Sequence, residues 1–183
     1  MTQTTQVLAL CGSLRKKSSN KGLLRYAQAN APEGMSIDIA DLASLPFYNS
    51  DITEVPAAVT HLLAQFANAD AFIFACPEYN YSISPALKNA IDWASRAPNN
   101  GLLAGKAAAI MGAGGGMGTS RAQYHLRQVC VCLDVRPLNK PEVFANAFAG
   151  QFDADGNLTD EKIQAGVEAQ LAALAAWSQQ LRK

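Results

Sequence analysis

Histidine is scarce in this chain of 183 residues, which contains only His61 and His125. The two lie far apart, in segments with a helical pattern, so neither a zinc site nor a Ser-His-Asp triad is indicated. An excess of charge is also lacking, because 15 lysines and arginines balance 15 aspartates and glutamates. A neutral chain has no general affinity for nucleic acid or for acidic membranes, and neither is expected as a partner.

Disulfide patterns, targeting signals and long apolar runs are missing too. The four cysteines are Cys11, Cys76, Cys130 and Cys132, and no two of them form a CxxC pair. No apolar run reaches the roughly 18 residues that suggest a membrane-spanning helix. Residues 1–10 lack the basic start and the cleavage site of a signal peptide. The predicted location is therefore the reducing cytoplasm, without a membrane span.

The common nucleotide-binding motifs do not occur either. Met117 stands where GAGGGMG would need the third glycine of GxGxxG, which argues against a dinucleotide fingerprint. A Walker lysine motif is absent. Lys17 stands where a C-x5-R phosphatase loop beginning at Cys11 would need arginine.

What is present is a regular alternation of short apolar runs and helical patterns. Strands are predicted at residues 6–11, 35–40, 71–76, 107–111 and 135–139. Helices are predicted at residues 20–30, 57–68, 85–96, 119–133 and 160–182, the last with Thr159 as its N-cap. Pro137 assigns the fifth strand to a sheet edge.

This alternation predicts a parallel sheet with helices on both faces. Five strands in a chain of this size suit the flavodoxin-like, doubly wound α/β fold with strand order 2-1-3-4-5. No linker, repeat or low-complexity segment interrupts the pattern, so a single domain covering residues 1–183 is expected.

Three loops carry unusual residues, and the predicted sheet brings them together. Residues 12–20 read GSLRKKSSN, residues 77–85 read PEYNYSISP, and residues 112–120 read GAGGGMGTS. They follow the first, third and fourth strands, which are neighbours in the predicted order. All three should therefore emerge side by side at the carboxyl edge of the sheet, where such folds bind ligands.

The first loop is suited to an anion. Serine and asparagine side chains, backbone N–H groups and the positive start of the next helix can surround a phosphate. The alternative is that Ser18, Ser19 and Asn20 only cap that helix.

The other two loops are suited to a flat heterocycle. Tyr79 and Tyr81 offer aromatic surface, while Glu78 and Asn80 offer hydrogen bonds. The glycines of the third loop allow its backbone to approach a ligand closely. The alternatives are an ordinary turn at Pro77 and a flexible glycine connection.

A possible calcium loop at residues 153–157, DADGN, is rejected. Leu158 stands where the glycine would follow, and Gln164 stands where a glutamate would close the cage. A surface turn is predicted instead.

Two motifs resemble those of the NAD(P)H-dependent FMN reductase family. The pattern G-S-x-R-x-x-S-x-N, starting at Gly12 and ending at Asn20, resembles its phosphate loop, and residues 77–96, PEYNYSISPALKNAIDWASR, resemble its second signature. The nearest branch is that of the soluble bacterial quinone and chromate reductases. Members often read S-x-P-G after PEYN, whereas here the proline, Pro85, is displaced by one residue.

The resemblance implies FMN as cofactor, NADPH or NADH as cosubstrate, and two-electron transfer to a small-molecule acceptor such as a quinone, an azo compound, chromate or a ferric complex. It implies a phosphate site at Ser13, Arg15, Ser18, Ser19 and Asn20. It implies a flavin ring lined by Pro77, Glu78, Tyr79, Asn80 and Tyr81, with Ala113 and Gly114 near the pyrimidine end. Neither a catalytic acid–base residue nor a metal is expected.

Two other functions remain open on the sequence. One is a flavodoxin-like electron carrier, although such carriers are commonly strongly acidic. The other is an FMN-binding regulatory protein that has lost the reaction.

A homodimer or homotetramer is also predicted. Arg121 and Tyr124 in the fourth helix, together with Glu142, suit a partly buried contact between subunits. The alternative is that these side chains pair within one subunit or lie in water.

Overall fold

A computed structural model describes residues 4–97 and 100–182. The described residues form the helices α1 (Ser19–Ala29), α2 (Ala57–Asn68), α3 (Pro85–Ala94), α4 (Ser120–Cys132) and α5 (Glu161–Leu181). The strands are β1 (Thr5–Cys11), β2 (Met35–Ala40), β3 (Ala71–Ala75), β4 (Glu78–Tyr79), β5 (Ser82–Ile83), β6 (Ala107–Gly114), β7 (Arg136–Pro137) and β8 (Val143–Asn146). No helix in these two ranges is long and apolar enough to cross a membrane.

The main sheet is parallel and follows the order β2-β1-β3-β6, with β7 and β8 both beside β6. Val7 of β1 pairs with Ile37 on one side and with Ala71 on the other, which sets the register at the centre. β7 pairs with the start of β6, at Ala107 and Ala108, and β8 pairs with its end. The predicted doubly wound order is confirmed, and its fifth position is shared by two short strands.

Helices cover both faces of the sheet because the central strands are apolar on both sides. In β3, AFIFA, Ile73 packs on one face while Phe72 and Phe74 pack on the other. The first face is covered by α1 and α5, and the second by α2, α3 and α4. A strand buried on both sides is what a continuous apolar run indicates in a parallel sheet.

Several local features differ from the sequence-based expectation. β6 runs on to Gly114, three residues beyond its predicted end, because β8 pairs with this part of it. β8 itself was not predicted, since VFAN is short and lies beyond Pro141. The prediction that Thr159 is the N-cap of α5 was wrong. The carboxylate of Asp160 accepts the N–H of Ile163, so Asp160 is the N-cap.

Candidate cofactor-binding site

A cavity of about 220 Å³ opens at the carboxyl ends of β1, β3 and β6. Its lining residues are Ser13, Arg15, Ser18, Ser19, Asn20, Pro77, Glu78, Tyr79, Ala113, Gly114, Gly115, Ala147 and Phe148. All three predicted loops therefore meet there, and of the predicted site residues Asn80 and Tyr81 lie outside the lining. An adjoining opening shares Glu78, Gly114 and Gly115 and continues along the third loop to Arg121.

The first loop ends in a helix start that faces the cavity. Ser18 is the N-cap of α1, and its hydroxyl accepts the N–H of Lys21 at 3.3 Å. Ser18 also lines the cavity, so its role as a cap does not remove it from this surface. The first turn of α1 carries no acidic residue, and Ser13 and Ser18 are buried. A helix start with these donors is suited to an anion.

Gly12 permits the first and second loops to touch. A Cβ at this position would lie 2.3 Å from Ser84 Oγ and 2.7 Å from Pro77 Cδ. Any larger residue would push apart the loop that carries the serines and the loop that carries Tyr79. The glycine of the phosphate-loop motif is therefore required here by packing.

Asn20 joins the first loop to the third. Its Nδ2 donates to the carbonyl of Ala113 at 2.8 Å, and its Oδ1 accepts the N–H of Ala113 at 3.0 Å. The Asn20 side chain lines the cavity, but both ends of its amide are engaged by protein backbone. The Ala113 N–H is occupied for the same reason, and the carbonyls of Gly114 and Gly115 accept the N–H groups of Ala147 and Gly118.

Glu78 joins the second loop to α4. Its Oε2 accepts the N–H groups of Arg121 and Ala122, each at 3.2 Å, and its Oε1 lies 3.2 Å from Arg121 Nε. The N-cap of α4, Thr119, has a left-handed backbone and makes no side-chain capping bond. Glu78 thus caps a helix that begins more than 40 positions later in the chain.

Asn80 and Tyr81 form the turn of the small hairpin β4–β5. Both have positive φ, 50° and 65°, as a tight turn between two antiparallel strands requires. The guanidinium carbon of Arg121 lies 3.9 Å from the centre of the Tyr81 ring. Tyr81 therefore packs against α4, whereas Tyr79 lines the cavity together with Phe148.

The expected subunit-contact residues lie on and after α4. Arg121 is paired within the chain, with Glu78 and Tyr81. Tyr124 is 70% exposed, and Glu142 pairs with Lys140.

Ala147 and Phe148 also line the cavity, and sequence reasoning missed both. They follow β8 directly, and the N–H of Phe148 donates to Asn146 Oδ1 at 2.9 Å. Because β8 runs parallel to β6, residues after it arrive at the same edge as the third loop. If VFAN had been recognised as a strand, Ala147 and Phe148 could have been predicted to lie at the cavity.

Thiols near the cavity are held neutral. Burial raises the pKa of Cys11, whose Sγ lies 3.4 Å from the carbonyl of Ser13, and burial raises the pKa of Cys76 to about 12. Among the lining residues, the one carboxylate is that of Glu78, and it accepts two N–H groups at the start of α4.

Two features meet at the switch point of this doubly wound sheet. One is a helix start suited to a phosphate, and the other is a tyrosine beside a glycine loop. Together they define a mononucleotide-binding protein.

Comparison with known proteins shows which family of mononucleotide-binding proteins this is. Residues 5–150 match the family described as NADPH-dependent FMN reductase. An NAD(P)H-dependent FMN reductase from Pseudomonas aeruginosa is 49% identical, with 100% of each chain covered. An NAD(P)H:quinone oxidoreductase from Solanum tuberosum is 49% identical, covering 97% of this chain and 94% of its own.

A solved structure shares the fold along nearly its whole length. The flavoenzyme NAD(P)H:(acceptor) oxidoreductase FerB from Paracoccus denitrificans has a TM-score of 0.86 and 31% identity, covering 96% of this chain and 98% of its own. The chain belongs to the NADPH-dependent FMN reductase family. The predictions of the family, of an oxidoreductase, and of FMN with NAD(P)H are confirmed.

Proposed function

We propose that this protein reduces quinones with electrons from NADPH or NADH, through FMN held in the cavity between the three loops. FMN, when bound, supplies the two-electron transfer between nicotinamide and acceptor. The observation that carries the proposal is the meeting of the three loops around one open cavity. The potato relative, named for quinone reduction and 49% identical, supports the choice of acceptor.

The phosphate of FMN belongs to the first loop in this proposal. Ser13, Ser18 and Ser19 line the cavity next to the start of α1, and Arg15 lies at its rim. Asn20 contributes indirectly, because its amide fixes the first loop to the backbone of Ala113. FMN is favoured over FAD, since one anion-binding helix start suits a terminal phosphate and the described residues form no second mononucleotide-binding half.

The ring of the flavin belongs between the second and third loops. Pro77 and Tyr79 offer apolar surface on one side, and Gly114 and Gly115 offer backbone on the other. Asn80 and Tyr81 support the ring site from outside, because their turn and the Arg121 contact fix the direction of the hairpin. Phe148 lines the cavity and is 82% exposed, so it is available to contact a nicotinamide or an acceptor.

The test of the phosphate assignment compares FMN with riboflavin, which lacks the phosphate. Arg15→Ala should weaken FMN binding by about 1–3 kcal/mol, the scale of a charged hydrogen bond, and leave riboflavin binding unchanged. Lys162→Ala, which removes an exposed cation from α5, is the matched control. Equal affinity of the unchanged protein for FMN and riboflavin, measured by calorimetry, would contradict the assignment.

The test of the reaction is steady-state kinetics of the FMN-loaded protein with NADH and NADPH. The acceptor panel contains quinones, azo compounds, chromate and ferric complexes, because an open site without acid–base groups suits all four. Rapid NAD(P)H oxidation with quinones supports the proposal. Bound FMN without NAD(P)H oxidation would indicate a regulatory protein, and activity that requires a second redox protein would indicate an electron carrier.

We further propose a homodimer or homotetramer in the cytoplasm. The outward side of α4 carries Tyr124 and Val131, which is 81% exposed, and Glu142 lies beside them. Exposed apolar and aromatic side chains ringed by polar groups are typical of subunit contacts. Light scattering at micromolar concentration tests the assembly, and a fully active monomer would contradict it.

The proposed location in the cytoplasm is supported by the four free cysteines, which suit a reducing compartment.

A further inference from the structure

The turn at residues 153–157, DADGN, is braced by its own first residue. Oδ1 of Asp153 accepts the N–H groups of Asp155 at 2.9 Å and of Asn157 at 2.8 Å. Its Oδ2 accepts Asn157 Nδ2 at 2.9 Å. A bridge between Phe152 and Leu158 closes the base of the turn, and Leu158 is buried. The turn is therefore held by the three hydrogen bonds of Asp153 and anchored in the core through Leu158.

The tip of this turn presses against the backbone of the first loop. Gly156 is buried with a φ of +77°, and a Cβ there would lie 2.8 Å from the carbonyl oxygen of Lys17. A Cβ on Gly22, in the first turn of α1, would lie 1.9 Å from the carbonyl oxygen of Gly156. Backbone meets backbone on both sides, and neither glycine has room for a side chain.

Side chains fasten the same contact. Arg25 of α1 donates to Asn157 Oδ1 from Nε at 3.1 Å and from Nη2 at 2.7 Å. Lys17 Nζ lies 2.8 Å from Asp155. That ion pair is largely exposed, and such pairs contribute little. The forked bond from Arg25 to Asn157 and the glycine contacts therefore account for most of the attachment.

We propose that the 153–157 turn is a positioning element for the phosphate of the flavin, although none of its residues lines the cavity. Gly156 lies against the peptide unit that joins Lys17 to Ser18, because a Cβ there would lie 2.8 Å from the Lys17 carbonyl oxygen and 2.9 Å from its carbon. The same carbonyl accepts a hydrogen bond from Arg15 Nη2 at 3.4 Å, and the planar peptide unit carries the N–H of Ser18. The turn thus fixes the orientation of the backbone donors at the start of α1, and this inference rests on the proposed FMN site.

The test uses Gly156→Ala, with Gly34→Ala as matched control. Gly156 and Gly34 have similar φ values of +77° and +78°, but Gly34 has open space around its Cβ position. Gly34 lies at the amino ends of the strands, where its carbonyl bonds Thr5, and the cavity lies at their carboxyl ends. The two changes therefore carry a similar backbone cost, and Gly156→Ala alone displaces Lys17. The flavin-free full-length proteins are titrated with FMN and with riboflavin, following the quenching of flavin fluorescence.

The expected result is a loss of roughly tenfold in FMN affinity for Gly156→Ala, with riboflavin affinity within a factor of about two of the unchanged protein. Gly34→Ala should alter neither. An equal loss for FMN and riboflavin, or no loss at all, would overturn the positioning role. If the unchanged protein binds FMN no better than riboflavin, the phosphate assignment itself fails. That outcome can be told apart from failure of the positioning role, which shows only in the variants.

A second pair of variants covers the case in which Gly156→Ala does not fold. Asn157→Ala removes the acceptor of Arg25 and the donor to Asp153, whereas Asp155→Ala removes the exposed ion pair with Lys17. We expect Asn157→Ala to lower the ratio of FMN to riboflavin affinity several-fold and Asp155→Ala to leave it within a factor of about two. An unchanged ratio in Asn157→Ala would refute the proposal, since a merely structural contact would affect both flavins alike.

Discussion

Asn20 shows how a motif residue can act through a neighbour. The sequence places it in a phosphate loop, and both atoms of its amide bond the backbone of Ala113. The partner is 93 residues away, so no local pattern could reveal it. The serines differ, because a serine before a helix indicates a cap or an anion site directly. Their place in the site was predictable, and the engagement of Asn20 was not.

Replacing Asn20 should therefore affect stability as well as binding. Asn20→Ala leaves a buried N–H and a buried carbonyl of Ala113 unpaired, which should lower the free energy of unfolding by about 1–3 kcal/mol. Urea unfolding of the flavin-free protein measures it. Asn68→Ala, an exposed helical asparagine, is the control and should stay within about 0.5 kcal/mol. Equal stability of the two variants would contradict the role given to Asn20.

The cysteines should differ in reactivity. Burial raises the pKa of Cys76 and of Cys130 to about 12 and also raises that of Cys11, whereas Cys132 is exposed. A thiol reagent at neutral pH should modify Cys132 alone in the native protein and all four cysteines after denaturation. Cys132→Ser should abolish the native reaction, and rapid modification of a second thiol would contradict the burial.

The same shifts give the sign of a dependence on pH. A thiol whose pKa is raised by folding contributes its stability in full below the ordinary value of 9.0 and loses it as the pH rises through about 12. Unfolding monitored between these limits should show stability falling with rising pH. Cys76→Ala should make the fall shallower.

At the scale of the element, α4 depends on a cap from another loop. Glu78 accepts two of its first N–H groups, and a carboxylate at a helix start is favourable on electrostatic grounds too. Glu78→Ala should lower the free energy of unfolding by about 1–2 kcal/mol, and Glu78→Gln by less, because an oxygen remains. Chemical denaturation measures both, with the exposed Glu54→Ala as control.

Elements were predictable where their pattern is long. The bounds of α2 and β2 match the sequence-based prediction, since each has a clear period and a clear stop. The hairpin β4–β5 was not predicted, because its turn is Asn80–Tyr81 and not the Asn-Gly that signals a hairpin. Tyr81 adopts its left-handed backbone while Arg121 stacks on its ring, a tertiary contact that local sequence does not contain.

At the scale of the whole molecule, one cavity must serve both substrates. The lining residues form one crevice at the sheet edge, so nicotinamide and quinone should occupy it in turn. Steady-state rates with quinone varied at several NAD(P)H concentrations should then give parallel double-reciprocal lines. A product nicotinamide added in excess should compete with the quinone. Lines that intersect at all concentrations would mean that both bind together.

The divided edge of the sheet has a consequence for behaviour at high concentration. β7 stops after Pro137, which has no N–H, and β8 resumes the same edge only at Val143. The opposite edge, β2, presents the exposed charge of Asp38. Neither side offers the long, flat ladder of free backbone groups on which a strand from another copy could grow. Crowded copies of this protein should therefore resist amyloid-like aggregation for as long as they stay folded.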